Sequence, residues 1–294
     1  MVKSKIIVCA HKNDFVLSND VFRPLQVGKA QSSVNLGFDG DDTGDNISSK
    51  NPNYCELTGL YWAWKNLKDY DYVGLAHYRR YFDFSKKTSK IDYVRHMSVE
   101  DFCELQKTWQ NPDEVLGNYD IILPNPWYMN ESVSECYIKA HLPEEYHLLG
   151  RILLKNHPEY KESIHKFWCM DNRWIAYNMF FTRKEIFEDY CQWLFPMLEE
   201  LERYIKVVDY PFQKRTYGFM GEILLPLYCQ HNGLKIKHLP VLMLDDGQNM
   251  SPFKILLNKW RSNFIFRLSQ PFNHSFPDLD SDFDDNCRRD GYNI

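Results

Sequence analysis

Short uninterrupted apolar runs alternate along this chain with stretches in which apolar side chains recur every three or four positions. Residues 5–10 (Lys-Ile-Ile-Val-Cys-Ala), 72–76 (Tyr-Val-Gly-Leu-Ala) and 119–123 (Tyr-Asp-Ile-Ile-Leu) are of the first kind. They are too short for helices and mostly apolar on both faces, which predicts buried parallel strands. Over 53–68, Leu57, Leu60, Tyr61, Trp64 and Leu67 trace a helical stripe, with Asn51-Pro52 as its start signal. Residues 13–50 read as a long polar, irregular segment, 85–118 as an excursion with one or two helices, and 131–168 as helical. Trp174 to Thr182 predicts a further strand, Lys184 to about Arg203 an amphipathic helix, and Gly221 to Asn232 another helix closed by Gly233. Lys235 to Leu244 predicts a late strand. This order implies an α/β domain over 1–250, its central, mostly parallel sheet flanked by helices. Residues 251–294 stand apart as a C-terminal extension: a basic, aromatic helix over 253–272, then an Asp-rich stretch, 278–290, that reads as a frayed tail.

Composition narrows the function. Among 294 residues there are 19 Phe, 19 Tyr and 8 Trp, too many large apolar groups for a disordered chain. The formal charge of −5 gives no general attraction for nucleic acid, so any anion site must be local. The 8 cysteines form no CxxC, and the histidines form no HxxxH or HExxH, so a zinc site is not expected. The glycine-rich dinucleotide fingerprint, the phosphate-binding GK[ST] loop and the GxSxG elbow are all absent. Widely spaced cysteines, a short N-terminal apolar run and no stretch near ~18–20 apolar residues lead us to expect a cytoplasmic protein.

The most informative stretch is Tyr72 to Phe82, where a buried strand runs into His77, Tyr78, Arg79 and Arg80. Ligands of open α/β sheets bind outside the carboxyl ends of strands, and the arginine fork matches phosphate oxygens. These residues, with His11 at the end of the first strand, are candidates for holding a diphosphate; the plainer alternative is a solvated arginine pair. The loop Asp39 to Asp45 offers closely spaced oxygens, from which Asp42, Asp45 and Asn46 are candidate ligand-binding residues, against a solvated turn. Gly218 to Glu222 places a carboxylate in what reads as the first turn of an apolar helix, either complementing the helix dipole or serving as a general base. Asn178, polar within an aromatic strand, needs a hydrogen-bond partner if buried, and a ligand hydroxyl is one candidate.

Three segments together resemble the domain-of-unknown-function 4422 family: Gly40 to Ser48, Lys50 to Asn66 and Val73 to Phe82. Further matches are Tyr119 to Pro124, Tyr177 to Phe180 with Lys184 to Phe195, and Gly218 to Glu222. Members are described as bacterial glycosyltransferases of capsular polysaccharide, exopolysaccharide or lipopolysaccharide. The resemblance implies a GT-A-like fold that binds a nucleotide sugar at its strand ends. It implies transfer of a hexose, pyranose or furanose with galactose among the candidates, from a donor that is preferentially UDP-linked to a lipid-linked oligosaccharide or growing polysaccharide. Many GT-A enzymes carry Asp-x-Asp after the strand equivalent to 72–76, where it holds Mn or Mg on the diphosphate. Here the position reads His77-Tyr78-Arg79, so metal dependence is not expected to follow the usual pattern, and Arg79 or Arg80 would supply the charge. Glu222 is then the candidate base, with Asp171, Asp209 and Asp245 as alternatives. Asn178 and Trp127 are candidates for binding sugar or acceptor. The competing reading is a non-catalytic nucleotide-sugar or carbohydrate binding protein within a polysaccharide assembly complex.

The segment 253–272 carries Lys254, Lys259, Arg261 and Arg267, no acid, and many large apolar residues. It reads either as a helix packed on the sheet or as a peripheral anchor on the inner face of the plasma membrane.

Overall fold

The computed structural model describes residues 2–270 together with Asp285, Arg288, Arg289 and Gly291. The Asp-rich stretch thus lies largely outside the described residues. In chain order the strands are β1 (Ser4–Ala10), β2 (Phe22–Gln26), β3 (Tyr72–His77), β4 (Arg80–Phe82), β5 (Val94–Met97) and β6 (Ile121–Pro124). They continue with β7 (Trp127–Tyr128), β8 (Arg173–Trp174), β9 (Phe180–Arg183), β10 (Ile236–Leu239) and β11 (Val241–Leu244). Strands β2, β1 and β3 run parallel; β9 lies antiparallel between β3 and β6; β10 is parallel to β6. From the end of β3 the same sheet continues through β4, β11 and β5, while β7 and β8 form a separate ribbon. The expected α/β fold with a central sheet flanked by helices is what the chain adopts, but the sheet is mixed rather than mostly parallel: β9 runs antiparallel to both β3 and β6, and β4 to both β3 and β11.

The alternation of side chains explains why the sheet is buried on both sides. Ile7 and Cys9 of β1, Ile121 and Leu123 of β6 and Phe180 of β9 enter one core with the helices Leu57–Asn66, Pro143–Asn156, Lys184–Leu201 and Thr216–His231. Ile6, Val8 and Ala10, Ile122 and Phe181 enter a second core on the other face, closed by Phe84, Phe102 and Trp109.

Five expectations about single elements change on contact with the structure. First, β2 lies within the polar 13–50 segment; its Arg23 and Pro24 disguise it, and Pro24 is tolerated because β1 is the one named strand that β2 pairs with, leaving it at the sheet edge. Second, the stretch 174–182 is not one strand. Tyr177 and Asn178 adopt φ of 81° and 51°, a left-handed bend that separates β8 from β9. Third, the helix expected over 53–68 breaks at Cys55, whose φ is 52°, into Asn51–Tyr54 and Leu57–Asn66. Fourth, the helix expected from Gly221 starts at Thr216, so Glu222 sits in its second turn rather than its first. Gly218 and Gly221 are inside that helix because neighbours press against it: a Cβ on Gly221 would lie 2.7 Å from Asn178 Oδ1. The late strand also divides at Pro240, which passes the chain from β6 to the gap between β4 and β5.

Candidate active site

Strands β1 and β3 are parallel neighbours with Cys9 opposite His77, so their carboxyl ends open on the same side. The tight β3–β4 connection then returns the chain at Arg80, opposite His77. These ends floor a cleft of about 480 Å³. Cys9, Val27 and Pro52 give it an apolar end, and His11 stands edge-on to Tyr78 with ring centroids 5.4 Å apart. Arg79, Arg80, Lys214 and Arg215 give it a cationic side, and Glu56 reaches it from the break between the two short helices.

The cations differ in what already holds them. Arg79 forks onto Asp14 Oδ2 from Nε at 2.8 Å and Nη2 at 2.5 Å, which holds the Asp14 carboxyl below its usual range. Arg80 stands over the Tyr177 ring, 4.6 Å from its centroid, and its buried Nε finds no hydrogen-bond partner among the described residues. Arg215 Nε donates to Cys55 Sγ at 3.2 Å. His77 Nε2 lies 2.7 Å from the Tyr177 carbonyl oxygen. Since a carbonyl only accepts, Nε2 carries the proton; burial lowers the ring's pKa and favours this neutral form.

Behind the arginines are two buried polar residues, Glu56 and Asn178, and the half-buried Glu222. The Asn178 amide donates to Glu56 Oε1 at 2.7 Å and to the Gly218 carbonyl at 2.9 Å, while its own oxygen finds no partner among the described residues. Glu222 accepts from the Tyr177 backbone amide, and burial, followed by the nearby charge of Glu56, pushes its carboxyl up to about 7. Arg80 and Arg215 act in the opposite sense. A carboxyl poised near neutrality close to arginine side chains is suited to receive a proton from a hydroxyl.

On the far side of Tyr177 lies a second concavity of about 290 Å³, lined by Trp127, Met129, Trp174, Ala176 and Tyr177 among others. Trp127 pairs with Trp174 across the β7–β8 ribbon and stacks on Tyr93 at 5.7 Å. Tyr177 belongs to both neighbourhoods: it lines this aromatic groove, and Arg80 of the cationic cleft stands over its ring.

The structure therefore brings together His11, His77, Tyr78, Arg79 and Arg80 on the cleft, with Asn178 and Glu222 behind it and Trp127 next door. It does not bring Asp42, Asp45 or Asn46 to the cleft wall. Asp45 accepts from the Tyr61 hydroxyl at 3.1 Å, and Asn46 bonds Ser48 and Gly44 within its own loop. The organising carboxylate there is the buried Asp41, which accepts from the backbone amides of Gly28 and Lys29 and from the Ser48 hydroxyl. Among the described residues no three His, Cys, Asp or Glu side chains converge to hold a metal ion, so no step here is routed through one. Glu56, Lys214 and Arg215 are site residues that sequence reasoning did not single out. Glu56 carried a signal: it lies one helical turn before Leu60, a charge on the apolar stripe.

The family profile described as a domain of unknown function, DUF4422, matches residues 5–233. The chain belongs to the DUF4422 family. Among solved structures it is similar to the apo form of WbbM, a bifunctional glycosyltransferase, at 33% identity and a TM-score of 0.74. That match covers 85% of this chain and 47% of WbbM, so this chain spans about half the length of its structural relative. No protein of curated function matches. The DUF4422 profile takes in the cleft-lining segments 9–11, 51–56, 77–80 and 211–215, and also Asn178 and Glu222.

Proposed function

We propose that this DUF4422 protein is a glycosyltransferase that moves a hexose from a nucleoside diphosphate sugar to a growing surface polysaccharide or lipid-linked oligosaccharide. The observation that carries the reading is a cationic cleft at the ends of β1 and β3 with a half-buried carboxyl, Glu222, held near neutrality behind its arginines. In this reading the nucleoside lies toward Val27 and Pro52, and the diphosphate lies against Arg80, Arg215 and Lys214, with Arg79 at the rim. The likeness to WbbM supports transferase chemistry in general.

The reaction needs little else. The acceptor hydroxyl attacks the anomeric carbon as the bond from that carbon to the diphosphate oxygen breaks. Glu222 takes the hydroxyl proton, and the departing diphosphate carries the electron pair, its charge met by the arginines. The aromatic groove beyond Tyr177 suits a sugar acceptor, whose apolar ring faces stack on Trp127 or Trp174. The substrate is expected among UDP-hexoses, galactose included.

Incubating the protein with a panel of nucleoside diphosphate hexoses, and following release of the nucleoside diphosphate, tests this. One donor should be slowly hydrolysed by wild type and not by Glu222→Gln. Binding without release by wild type would favour the non-catalytic reading.

A further inference from the structure

The helix Pro252–Ser269 meets the rest of the protein along a narrow line. Ile255, Ser262 and Phe266 are its buried residues, Asn263 Oδ1 accepts from Asn172, and Lys259 stands over the Tyr128 ring at 4.2 Å. These contacts seat it on the β7–β8 ribbon, the same ribbon that supplies Trp127 and Trp174 to the aromatic groove.

Its opposite side faces outward and is apolar. Phe253, Trp260 and Leu268 are 76%, 66% and 62% exposed, with Leu256, Leu257 and Phe264 also open. These positions follow one another at three- and four-residue steps, so they form a continuous stripe, on which Trp260 and Phe264 stack with centroids 5.7 Å apart. Lys254 and Arg261 are exposed along one flank of this stripe, Arg267 is exposed near its C-terminal end, and no acid lies between residues 252 and 269. The chain as a whole is acidic, so this cationic border is a local feature. The helix is not long and apolar enough to cross a membrane.

We infer that this face docks in the surface of an anionic lipid bilayer, the helix lying in the interface plane. A second copy of the chain would bring the three cations of one stripe against those of its mate; anionic headgroups complement them instead. Aromatic and leucine side chains bordered by cations are what an interfacial helix requires. Because the helix rests on the β7–β8 ribbon, docking holds the aromatic groove close to the lipid surface, where a lipid-linked acceptor would present its sugars. That last consequence rests on the transferase reading; the docking itself does not.

Flotation of the full chain with vesicles of phosphatidylcholine, or of phosphatidylcholine mixed with phosphatidylglycerol, needs neither donor nor acceptor. We expect capture by the anionic vesicles, weakened by high salt, and little by the neutral ones. Trp260→Glu with Phe264→Glu changes only exposed positions and should abolish capture. Lys254→Gln, Arg261→Gln and Arg267→Gln together should weaken it on the order of 10²-fold. No capture of wild type, or undiminished capture of the double glutamate variant, overturns the proposal. So does a lipid-free dimer that the same two glutamates dissociate. Vesicle capture by a protein that releases nucleoside diphosphate from no donor of the hexose panel would sink the transferase reading and leave the docking intact.

Discussion

The Asn178 amide nitrogen lies 2.7 Å from Glu56 Oε1, joining residues 122 positions apart in the chain. The bond ties the left-handed bend after β8 to the break between the helices Asn51–Tyr54 and Leu57–Asn66. Both segments have unusual backbone, and each fixes a wall of the cleft or of the groove. The bend carries Tyr177, whose ring supports Arg80, whose carbonyl orients His77 and whose amide reaches Glu222.

Breaking that tie should cost more turnover than affinity. Asn178→Asp sets a third carboxylate beside Glu56 and Glu222, and we expect kcat to fall at least ~10²-fold with a smaller change in KM. Gly221→Ala pushes a methyl against Asn178 Oδ1, and a stability loss of about 1–3 kcal/mol is expected in thermal unfolding. Near wild-type kinetics and melting for both variants would show that the bend is incidental.

The two adjacent arginines should behave differently. Arg79 is already paired with Asp14 and half exposed, whereas Arg80 is held by an aromatic face and has spare donors. Calorimetric titration with a nucleoside diphosphate should show a loss of roughly ten- to a hundredfold for Arg80→Ala and a smaller one for Arg79→Ala. The matching nucleoside should bind both variants as it binds wild type; an equal loss for nucleoside and diphosphate would point to a collapsed cleft.

The pH profile of kcat reports on Glu222. Its carboxyl is pushed up to about 7 and must be ionised to accept a proton, so activity should rise with pH through that value and level off above it. Glu222→Gln should lose ~10² or more in turnover while still binding donor. A flat profile from pH 5 to 8, with turnover retained in the variant, would place the base elsewhere.

A second raised carboxyl, this one buried, gives a stability test independent of substrate. Glu145 is 1% exposed, accepts from the Thr216 hydroxyl at 3.0 Å, and is raised by burial to about 7. The folded state therefore holds this proton more tightly than the unfolded chain. Its contribution is full below the ordinary glutamate range and is lost as pH climbs through about 7. Glu145→Gln keeps the acceptor oxygen and removes the charge, so it should match wild type near pH 5 and exceed it by about 1–3 kcal/mol at pH 8. Parallel unfolding curves at both pH values would refute this.

Much of this architecture was legible in the residues. Ile6 to Ala10 and Tyr72 to Ala76 declared themselves because a strand covered on both faces must be apolar throughout. His77 to Arg80 followed because strand ends are where such sheets bind ligands. The rest depended on partners remote in sequence. Tyr177-Asn178 reads as part of a strand until Glu56 and Gly218 are seen to hold the amide. Glu222 reads as a first-turn acid because glycines look like a boundary, whereas Gly218 and Gly221 are small in order to admit Cys55 and Asn178. The acidic loop reads equally as a binding element or a solvated turn, and only the fold shows that Asp41, flanked by more exposed acids, uses its oxygens to organise backbone. Pattern reveals what a segment buries; it does not reveal which distant polar group completes it.

Pro240 sits where the chain leaves β10 and enters β11, and the timing of synthesis follows from that one crossing. Strand β5 is complete by Met97, yet its one named neighbour, β11, is made more than a hundred residues later. Strand β4 likewise touches β3 at a single residue pair until β11 arrives between it and β5. On the ribosome, the β1–β3 core can assemble early while 80–97 waits with open hydrogen-bonding edges. The segment after Pro240 thus acts as a keystone: the arch that carries Arg80 is set only when its last stone drops in.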